Sequence, residues 1–370
     1  MTETDYLYTE GLSVGYHGVP LIRNIALSLQ RGEILTLIGP NGAGKTTILK
    51  SLIRQLEPLG GVVWLEGQKI SSMSGKELSK KLSVVLTDRV QPELMTCEEV
   101  VATGRYPYTG RFGMLSEEDR RVVRETMELV HISGLSDRDF LQISDGQKQR
   151  VMLARAICQE PDVIVLDEPT SFLDMRYKLE FLSIIQNMSR TRNLSVIMSL
   201  HELDLAGRIS DRIACVKGDR IDRFGTPEEI FSSGYVRELY QMTTGSYDER
   251  TGNLELEAVR GQPEVFVLSG NGSGTAVYRQ LQREGIPFAA GILWENDLDY
   301  PSAKALAAEV VHVKAFCRID GQKVQRAREL IDQCGRVICT LDTPGDFYPE
   351  LKELQKYAEK QGKIPEIFPF

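Results

Sequence analysis

Residues 39–47 read GPNGAGKTT, and this stretch decides the fold of the N-terminal part of the chain. It fits the pattern G-x-x-x-x-G-K-[ST], in which glycines let backbone N–H groups turn inward around phosphate oxygens. The apolar run ILTLI (34–38) precedes the loop, and the helix-like run TTILKSLIRQL (46–56) follows it. This strand–loop–helix order is the setting that a phosphate loop requires, so it predicts a phosphate-binding α/β domain and argues against a chance glycine turn.

Two side chains of the loop are suited to nucleotide chemistry. Lys45 can reach the β- and γ-phosphates, and the Thr46 hydroxyl can bind Mg²⁺. The N-terminus of the following helix adds positive potential. The loop therefore predicts a nucleotide and Mg²⁺ as ligands.

A second stretch, VIVLDEP (163–169), supplies two acids. Four apolar residues predict a buried strand, and Asp167 at its end is placed to hold Mg²⁺, directly or through water. Glu168 beside it is placed to polarise the attacking water as a general base. Adjacent acids after a strand could be solvated loop residues, but the phosphate loop earlier in the chain favours the catalytic interpretation.

A third stretch, ISDGQKQRVMLARAI (143–157), begins a helix with Ser144, Gly146 and Gln147. A Ser-x-Gly sequence at a helix start can also donate hydrogen bonds to phosphate. One domain does not ordinarily need two phosphate-binding helix ends. Two chains packed head to tail would use both, one from each side of the nucleotide.

Together these motifs resemble the nucleotide-binding subunit of an ATP-binding cassette (ABC) transporter, over about residues 1–245. The resemblance implies ATP and Mg²⁺ as cofactors, and ISDGQ resembles the family signature LSGGQ, with an Asp145 variant associated with importers. It implies that Ser144, Gly146 and Gln147 act on ATP held by the other subunit of a homodimer. It also implies ATP contacts from the whole phosphate loop: Gly39, Pro40, Asn41, Gly42, Ala43, Gly44, Lys45, Thr46 and Thr47.

Three further positions match the family. SFLD, which ends at Asp174, resembles the loop that touches the partner's ATP site. His201 in MSLHELD resembles the switch histidine that contacts the γ-phosphate, and Tyr16 in LSVGY matches the aromatic residue that stacks on adenine. The alternatives are a structural histidine at a strand end and a surface tyrosine.

One position departs from the family. A Gln usually follows the strand that here reads LSVVLT, where it helps to bind Mg²⁺ and couples ATP to the membrane subunit, but Thr87 occupies its place. Thr is too short to reach the metal in the same way. Gln91 or a water molecule could compensate.

The stretch YPYTG (106–110) resembles the membrane-facing part of importers for ferric siderophores, haem and cobalamin. Exposed aromatic residues beside Arg105 and Arg111 suit a protein interface, and a packed loop is the alternative. The resemblance implies an ATPase that energises such import, with two integral membrane permease subunits and an extracytoplasmic substrate-binding protein as partners. A soluble ABC ATPase, as in cluster assembly, is the alternative function, although those proteins often carry two cassettes or lack this loop.

The composition narrows the class of protein. The chain has 370 residues and a formal net charge of −8, without a basic tail, which disfavours nucleic-acid binding. No run approaches the ~18 apolar residues of a membrane helix, and the acidic N-terminus lacks a signal-peptide core. We expect a cytoplasmic protein that is peripheral on the inner face of the cell membrane. None of the six cysteines forms a CxxC pair, which indicates free thiols rather than a zinc site or disulfides.

The chain is predicted to contain two α/β domains. Residues 1–247 form an ABC-type P-loop ATPase domain with a mixed sheet core and a helical insert at about 75–160. Residues 248–370 form a smaller Rossmann-like accessory domain, because four strand-like runs alternate there with helical segments. The linker is predicted within TTGSYDERTGN (243–253).

The smaller domain contains a second glycine loop. Gly270, Gly272 and Gly274 lie between a strand-like and a helix-like run, where α/β domains bind ligands. The dinucleotide fingerprint G-x-G-x-x-G is missed, because Thr275 stands at its third glycine position.

Acids follow the next strand of that domain. Glu295 is near the place of a ribose-binding acid, and Asp297 and Asp299 would suit a cation or a polar small molecule but oppose a bare phosphate. No nucleophile–base pair supports a fused enzyme. A regulatory ligand site and a tight turn in a packed domain both stay open.

Overall fold

The computed structural model describes residues 5–86, 92, 94–110, 113–171, 173–232, 234–341 and 348–363, and the backbone of 366–367. Thr87, Gln91 and Arg111, named above, lie outside these ranges. The chain forms two compact units, Met1–Tyr240 and Gln241–Phe370. Within the described ranges, no helix combines the length and the apolar character that crossing a lipid bilayer requires.

The first unit contains eleven strands and nine α-helices among its described residues. Its strands are β1 (Leu7–Tyr16), β2 (Val19–Ile25), β3 (Ser28–Leu29), β4 (Ile34–Ile38), β5 (Gly60–Leu65), β6 (Gln68–Lys69), β7 (Leu82–Val85), β8 (Val163–Asp167), β9 (Ser195–Ser199), β10 (Arg212–Lys217) and β11 (Arg220–Gly225). Its helices are α1 (Lys45–Leu52), α2 (Gly75–Lys81), α3 (Cys97–Ala102), α4 (Glu117–Leu129), α5 (Asp145–Cys158), α6 (Met175–Arg192), α7 (Leu203–Ile209), α8 (Pro227–Ile230) and α9 (Tyr235–Leu239).

Two sheets organise these elements. The larger sheet has the strand order β11-β10-β4-β9-β8-β7, and all neighbours are parallel except β10 and β11. The smaller sheet joins β1, β2, β3, β5 and β6 in antiparallel pairs. Every residue of β4, β8 and β9 is buried, as expected for central parallel strands covered on both faces. Their carboxyl ends meet at one edge of the sheet, and the predicted mixed α/β fold is confirmed.

The predicted helical insert includes one strand of this sheet. β7 is the edge strand next to β8, and α3, α4 and α5 pack together after it. Ser116 begins α4 through a capping box: its hydroxyl accepts the Asp119 N–H, and the Asp119 carboxylate accepts the Ser116 N–H. This arrangement satisfies two backbone donors that the helix itself cannot pair.

The interpretation of Arg105 as part of an exposed interface is wrong. Its guanidinium is only 4% exposed, and it donates to Asp119 at 2.9 Å, to the Cys158 carbonyl at 2.8 Å and to Glu160 at 2.7 Å. Arg105 is inside because a buried carboxylate and a helix-end carbonyl both need a donor there. Tyr108 is half-buried, and Tyr106 is 63% exposed.

The second unit contains seven described strands and four helices. The strands are β12 (Ser246–Asp248), β13 (Asn253–Glu255), β14 (Val265–Leu268), β15 (Phe288–Trp294), β16 (Glu309–Val313), β17 (Arg336–Cys339) and β18 (Glu366–Ile367). The helices are α10 (Thr275–Glu284), α11 (Tyr300–Leu306), α12 (Gly321–Gln333) and α13 (Pro349–Lys360). β12 and β13 form an antiparallel hairpin that begins inside the predicted linker and ends two residues beyond it. Asp248 organises its turn, because its carboxylate and carbonyl accept the N–H groups of Arg250 and Gly252.

The other five strands of this unit form a parallel sheet in the order β16-β15-β14-β17-β18. The chain therefore moves outward from β14 in one direction and then returns to its other side, as in a Rossmann-like fold. Apolar residues of α12 and α13 cover one face, and those of α10 and α11 cover the other. The prediction of a second α/β fold is confirmed.

The buried Arg105 generates a stability prediction. Replacing Arg105 with Ala leaves the Asp119 carboxylate buried without its cation, so we expect a loss of about 3 kcal/mol in the free energy of unfolding. The matched control is Arg121→Ala on α4, where an exposed arginine pairs with Glu118 and Glu125 and should leave the urea midpoint unchanged.

The measurement is urea unfolding followed by tryptophan fluorescence in a Trp294→Phe background. The chain has two tryptophans, so Trp64 then reports on the first unit alone. Equal midpoints for the Arg105→Ala and Arg121→Ala variants would contradict this account of the buried arginine.

Candidate functional site

The phosphate loop joins β4 to α1, and two of its glycines are sterically required. Gly39 has φ +148°, and a Cβ there would lie 2.4 Å from the Val216 carbonyl oxygen. Gly44 has φ +96°, and a Cβ there would lie 2.6 Å from Ile22 Cδ1. Such positive φ values are costly for residues with a side chain. The sequence therefore folds locally into a tight loop that places the start of α1 at the carboxyl edge of the sheet.

Lys45 is folded back into its own loop. Its side chain is 5% exposed, and Nζ donates to the carbonyls of Gly39 at 2.8 Å and of Pro40 at 3.2 Å. Burial lowers the pKa of Lys45 below its usual 10.5, and the nearby Glu168 and Asp167 carboxylates offset this only in part. The loop thus holds a desolvated cation.

A hydrogen-bonded chain links the loop to the next two strands. The Thr46 hydroxyl donates to Asp167 Oδ2 at 2.9 Å, and the Ser199 hydroxyl donates to Asp167 Oδ1 at 2.7 Å. Asp167 is buried at the end of β8. The carboxylate and hydroxyl oxygens gathered here are hard ligands of the type that Mg²⁺ prefers.

Glu168 and His201 lie together beside this chain. His201 Nε2 is 2.5 Å from Glu168 Oε1, and Ser171 donates to the other carboxylate oxygen at 3.4 Å. Glu168 has φ +49°, a conformation that residues with side chains seldom adopt. Its N–H donates to the Ser199 hydroxyl at 2.9 Å. This bond fixes the turn that directs the two neighbouring acids to different partners.

Two other residues predicted from the sequence, Tyr16 and Asp174, lie outside this cluster. The Tyr16 hydroxyl lies 3.4 Å from the hydroxyl of Thr47, so the ring is beside the start of α1. Asp174 caps α6 by accepting the N–H of Tyr177 at 2.9 Å. Both residues therefore have a local structural contact of their own.

The signature motif is placed at the start of α5. Ser144 and Gln147 form a capping box, in which the side chain of each accepts the N–H of the other. A Cβ at Gly146 would lie 3.4 Å from Leu173, an ordinary van der Waals distance, so packing within this chain does not by itself require the glycine. The structure thus joins Ser144, Gly146 and Gln147 to one another and not to the Thr46–Glu168 cluster.

Sequence reasoning missed two residues of the site. Ser199 ends β9 and bonds both to the Asp167 carboxylate and to the Glu168 N–H. The Tyr240 hydroxyl accepts the N–H of Gly39 at 3.3 Å. A serine that follows the apolar residues VIM at the carboxyl end of β9 is a signal that could have identified Ser199, whereas nothing in the sequence near Tyr240 indicates its partner.

In the second unit, the late glycine loop is already filled by carboxylates. Asp299 accepts the N–H groups of Gly274 at 2.8 Å and Thr275 at 2.9 Å. Asp297 accepts the Asn271 N–H at 3.0 Å. These protein acceptors occupy three backbone donors that a dinucleotide pyrophosphate would otherwise use.

Glu295 was predicted to join this loop, but its carboxylate points elsewhere. It lies 3.3 Å from His312 Nδ1.

Two family models match the chain. One, described as ABC transporter, matches residues 22–171, and one described as MJ0874 family matches residues 288–365. The first match contains the phosphate loop, the signature stretch and both acids of the site.

Several curated proteins are similar over most of their length. An uncharacterized ABC transporter ATP-binding protein of Methanocaldococcus jannaschii is 42% identical over 289 residues, which cover 78% of this chain and 99% of that protein. The iron(3+)-hydroxamate import ATP-binding protein FhuC of Bacillus subtilis is 33% identical, covering 71% of this chain and 99% of its own. The cobalamin import ATP-binding protein BtuD of Halobacterium salinarum is 29% identical, covering 84% of this chain and 79% of its own.

Solved structures match the first unit in shape. The dimeric structure of the ATP-binding cassette MJ0796, bound to ADP and Pi in a post-hydrolysis state, superimposes with a TM-score of 0.54. Its sequence is 25% identical, and the match covers 60% of this chain and 98% of that one.

The buried lysine generates a prediction about stability without nucleotide. Lys45→Met removes a desolvated charge but keeps the shape of the side chain, so the melting temperature at pH 7 should rise by about 2–4 °C. The cost of the charge is fully present below the lowered pKa of the folded state. It vanishes as pH rises through 10.5, where the unfolded chain loses its proton too.

Calorimetric scans at pH 7 and pH 10 test this, with the exposed Lys76→Met as the control that should change nothing. We expect a smaller difference between Lys45→Met and the wild type at pH 10. A lower melting temperature for Lys45→Met at pH 7 would show that the buried charge is not a cost.

Proposed function

This chain belongs to the ATP-binding proteins of ABC transporters, and from that premise we propose that it hydrolyses ATP to energise import of a metal chelate. The observation that carries the proposal is the pairing of Glu168 with His201 at 2.5 Å, beside the hydrogen bond of Thr46 to Asp167. A base, a histidine and two oxygen ligands thus meet at the end of the phosphate loop. Hydrolysis of a nucleoside triphosphate needs this set of groups.

The class of substrate is inferred from the relatives. FhuC is an iron(3+)-hydroxamate import protein, and BtuD is a cobalamin import protein. The siderophore transport protein YusV of Bacillus subtilis is also 36% identical over 234 residues. These names favour import of an iron chelate or cobalamin through a membrane permease over the function of a soluble ABC ATPase in cluster assembly.

Binding of ATP is assigned to the phosphate loop and α1. Backbone N–H groups of the loop surround phosphate oxygens, and Lys45 exchanges its two carbonyl partners for the β- and γ-phosphates. This exchange repays the desolvation of the lysine, because phosphate supplies the negative charge that the carbonyls lack. Tyr16 supports the adenine ring by stacking.

Hydrolysis is assigned to the cluster at the sheet edge. Thr46 and Asp167 would hold Mg²⁺, which when bound neutralises charge on the β- and γ-phosphates. Glu168 accepts a proton from the attacking water as general base. His201 contacts Glu168 in this structure, so it orients the carboxylate and lies ready to meet the γ-phosphate. Ser199 holds both acids in position, because its hydroxyl donates to the Asp167 carboxylate and accepts the Glu168 N–H.

A second copy of the chain completes each site in this proposal. Ser144, Gly146 and Gln147 begin α5 away from their own phosphate loop, and Asp174 begins α6. A head-to-tail homodimer brings these residues to the ATP of the partner. The capping box leaves the positive end of α5 organised for this contact, and the matching cassette MJ0796 is a dimer.

The same reasoning suggests the further partners and the location. The import proteins among the relatives support two integral membrane permease subunits, which would hold the dimer peripherally on the inner face of the cell membrane. An extracytoplasmic protein would deliver the chelate. The exposed Tyr106 ring is the described part of YPYTG that remains available for the permease.

Glu168→Gln tests the catalytic assignment. The amide keeps the size of the side chain but cannot accept the proton, so ATP hydrolysis should fall by about 100-fold or more. ATP should still bind, and a nucleotide-bound dimer should accumulate. Turnover, equilibrium binding of ATP and size-exclusion chromatography measure the three effects.

Two variants accompany this experiment. Lys45→Ala should lose ATP binding itself, because the phosphates lose their main cation, and Glu57→Gln at an exposed position should behave like the wild type. Near-normal turnover in the Glu168→Gln variant would remove Glu168 from the role of general base.

The import assignment has its own test. The chain is expressed with the permease and binding protein of a candidate iron-chelate or cobalamin importer from the same organism, and the purified complex is placed in liposomes that contain the binding protein. We expect ATP-dependent uptake of a ferric hydroxamate or of cobalamin, abolished by Glu168→Gln. Failure of the chain to purify with any polytopic membrane protein, while its ATPase activity persists, would favour the soluble alternative.

A further inference from the structure

The second unit contains a cleft of about 1090 Å³ at the carboxyl ends of its parallel strands. We call it the carboxyl-edge cleft. Segments that follow β14, β15, β16 and β17 all line it, including Asp297, Phe316, Arg318 and Tyr348. Its size reaches the upper end of the range for pockets that bury small molecules. It lies where the strand order reverses beside β14, which is where open parallel sheets bind ligands.

The loop after β14 offers few unpaired backbone donors to a phosphate group. Of the backbone amides in the loop after β14, those of Gly270, Asn271, Ser273, Gly274 and Thr275 donate to protein acceptors. Asp299 takes two of them and is completely buried. Its carboxylate therefore occupies the helix N-terminus that a phosphate would use in a nucleotide-binding fold.

Aromatic rings form the walls of the cleft instead. The Trp294 and Tyr348 rings lie with centroids 4.7 Å apart, and the Trp294 indole N–H donates to the Cys317 carbonyl at 2.8 Å. Phe316 is 94% exposed at the rim, with φ +62°. Leu298 is 67% exposed on the facing loop. Large apolar groups left in solvent around a concave site are typical of surfaces that a ligand covers.

The charged residues at the cleft indicate which polar groups a ligand would carry. Asp297 and Glu350 contribute carboxylates, and Arg318 contributes a guanidinium. Carboxylates accept hydrogen bonds from hydroxyl and amino groups and repel added negative charge. Because the two carboxylates outnumber the single guanidinium, a ligand rich in hydrogen-bond donors matches this set better than one that adds negative charge.

We propose that the carboxyl-edge cleft binds a planar heterocyclic ligand that carries hydroxyl or amino donors and no phosphate. Trp294, Tyr348 and Phe316 contact the flat ring, and Asp297 and Glu350 accept its polar hydrogens. The second unit then acts as a ligand-binding module with a site of its own, separate from the phosphate loop of the first unit.

Riboflavin and its 5′-phosphate, FMN, provide a matched pair of probes that differ only in the phosphate. Titration of the full chain with each flavin, followed by flavin fluorescence, should show saturable binding of riboflavin. FMN should bind about tenfold more weakly, because its phosphate meets the carboxylates at a loop whose Asn271, Gly274 and Thr275 amides already donate to them. The titrations are repeated with Mg²⁺ and saturating adenylyl imidodiphosphate, which blocks the nucleotide site of the first unit.

Two variants and a control locate the binding. Phe316→Ala should weaken riboflavin about tenfold through loss of stacking, whereas Leu254→Ala, at an exposed position of the same unit, should have no effect. Asp297→Asn keeps an acceptor for the Asn271 N–H but removes the charge, so the difference between riboflavin and FMN should narrow to about threefold.

The proposal is overturned by any of four results. These are an absence of saturable riboflavin binding, equal or tighter binding of FMN, displacement of riboflavin by the nucleotide analogue, and wild-type affinity in the Phe316→Ala variant. An unchanged riboflavin–FMN difference in Asp297→Asn would overturn the account of why phosphate is excluded.

Discussion

The parallel pairing of β4, β9 and β8 is the constraint on which the nucleotide site depends. Ser199 at the end of β9 stands in register with Leu37 of β4 on one side and with Asp167 of β8 on the other. The phosphate loop and the acidic pair therefore leave the sheet at the same level. A shift of one residue in the pairing of β8 with β9 would turn Asp167 to the opposite face and break its hydrogen bonds with Thr46 and Ser199.

The two units show how one backbone arrangement leads to two kinds of chemistry. In both, a buried parallel strand ends in a glycine loop that begins a helix. α1 has no side-chain cap and no acid in its first turn, and Lys45 adds a cation beside it. At α10 the carboxylate of Asp299, which belongs to a later loop, accepts the N–H groups of Gly274 and Thr275 at the helix start. The side chain that meets the helix start decides whether phosphate can bind there.

Buried charges have different effects on stability at two places in the first unit. Arg105 has carboxylate and carbonyl partners on α4 and at the end of α5, so its burial braces the helices. Among the described residues, Lys45 donates to two loop carbonyls, and burial lowers its pKa. The first arrangement stabilises the fold, whereas the second holds a cost that a bound phosphate can remove.

The sequence by itself determined the fold class of both units, the phosphate loop with its required glycines, and the acids that follow β8. These features are local: a strand, a turn with positive φ and a helix start are all encoded within a few neighbouring residues. It also allowed the alternation of four strands and four helices after residue 260 to be recognised. The tertiary structure decided the contact of His201 with Glu168, the place of Ser199, the burial of Arg105 and the filling of the late glycine loop by Asp297 and Asp299. Each of these contacts joins residues that are distant in the chain, and strand order and register, not local sequence pattern, bring them together.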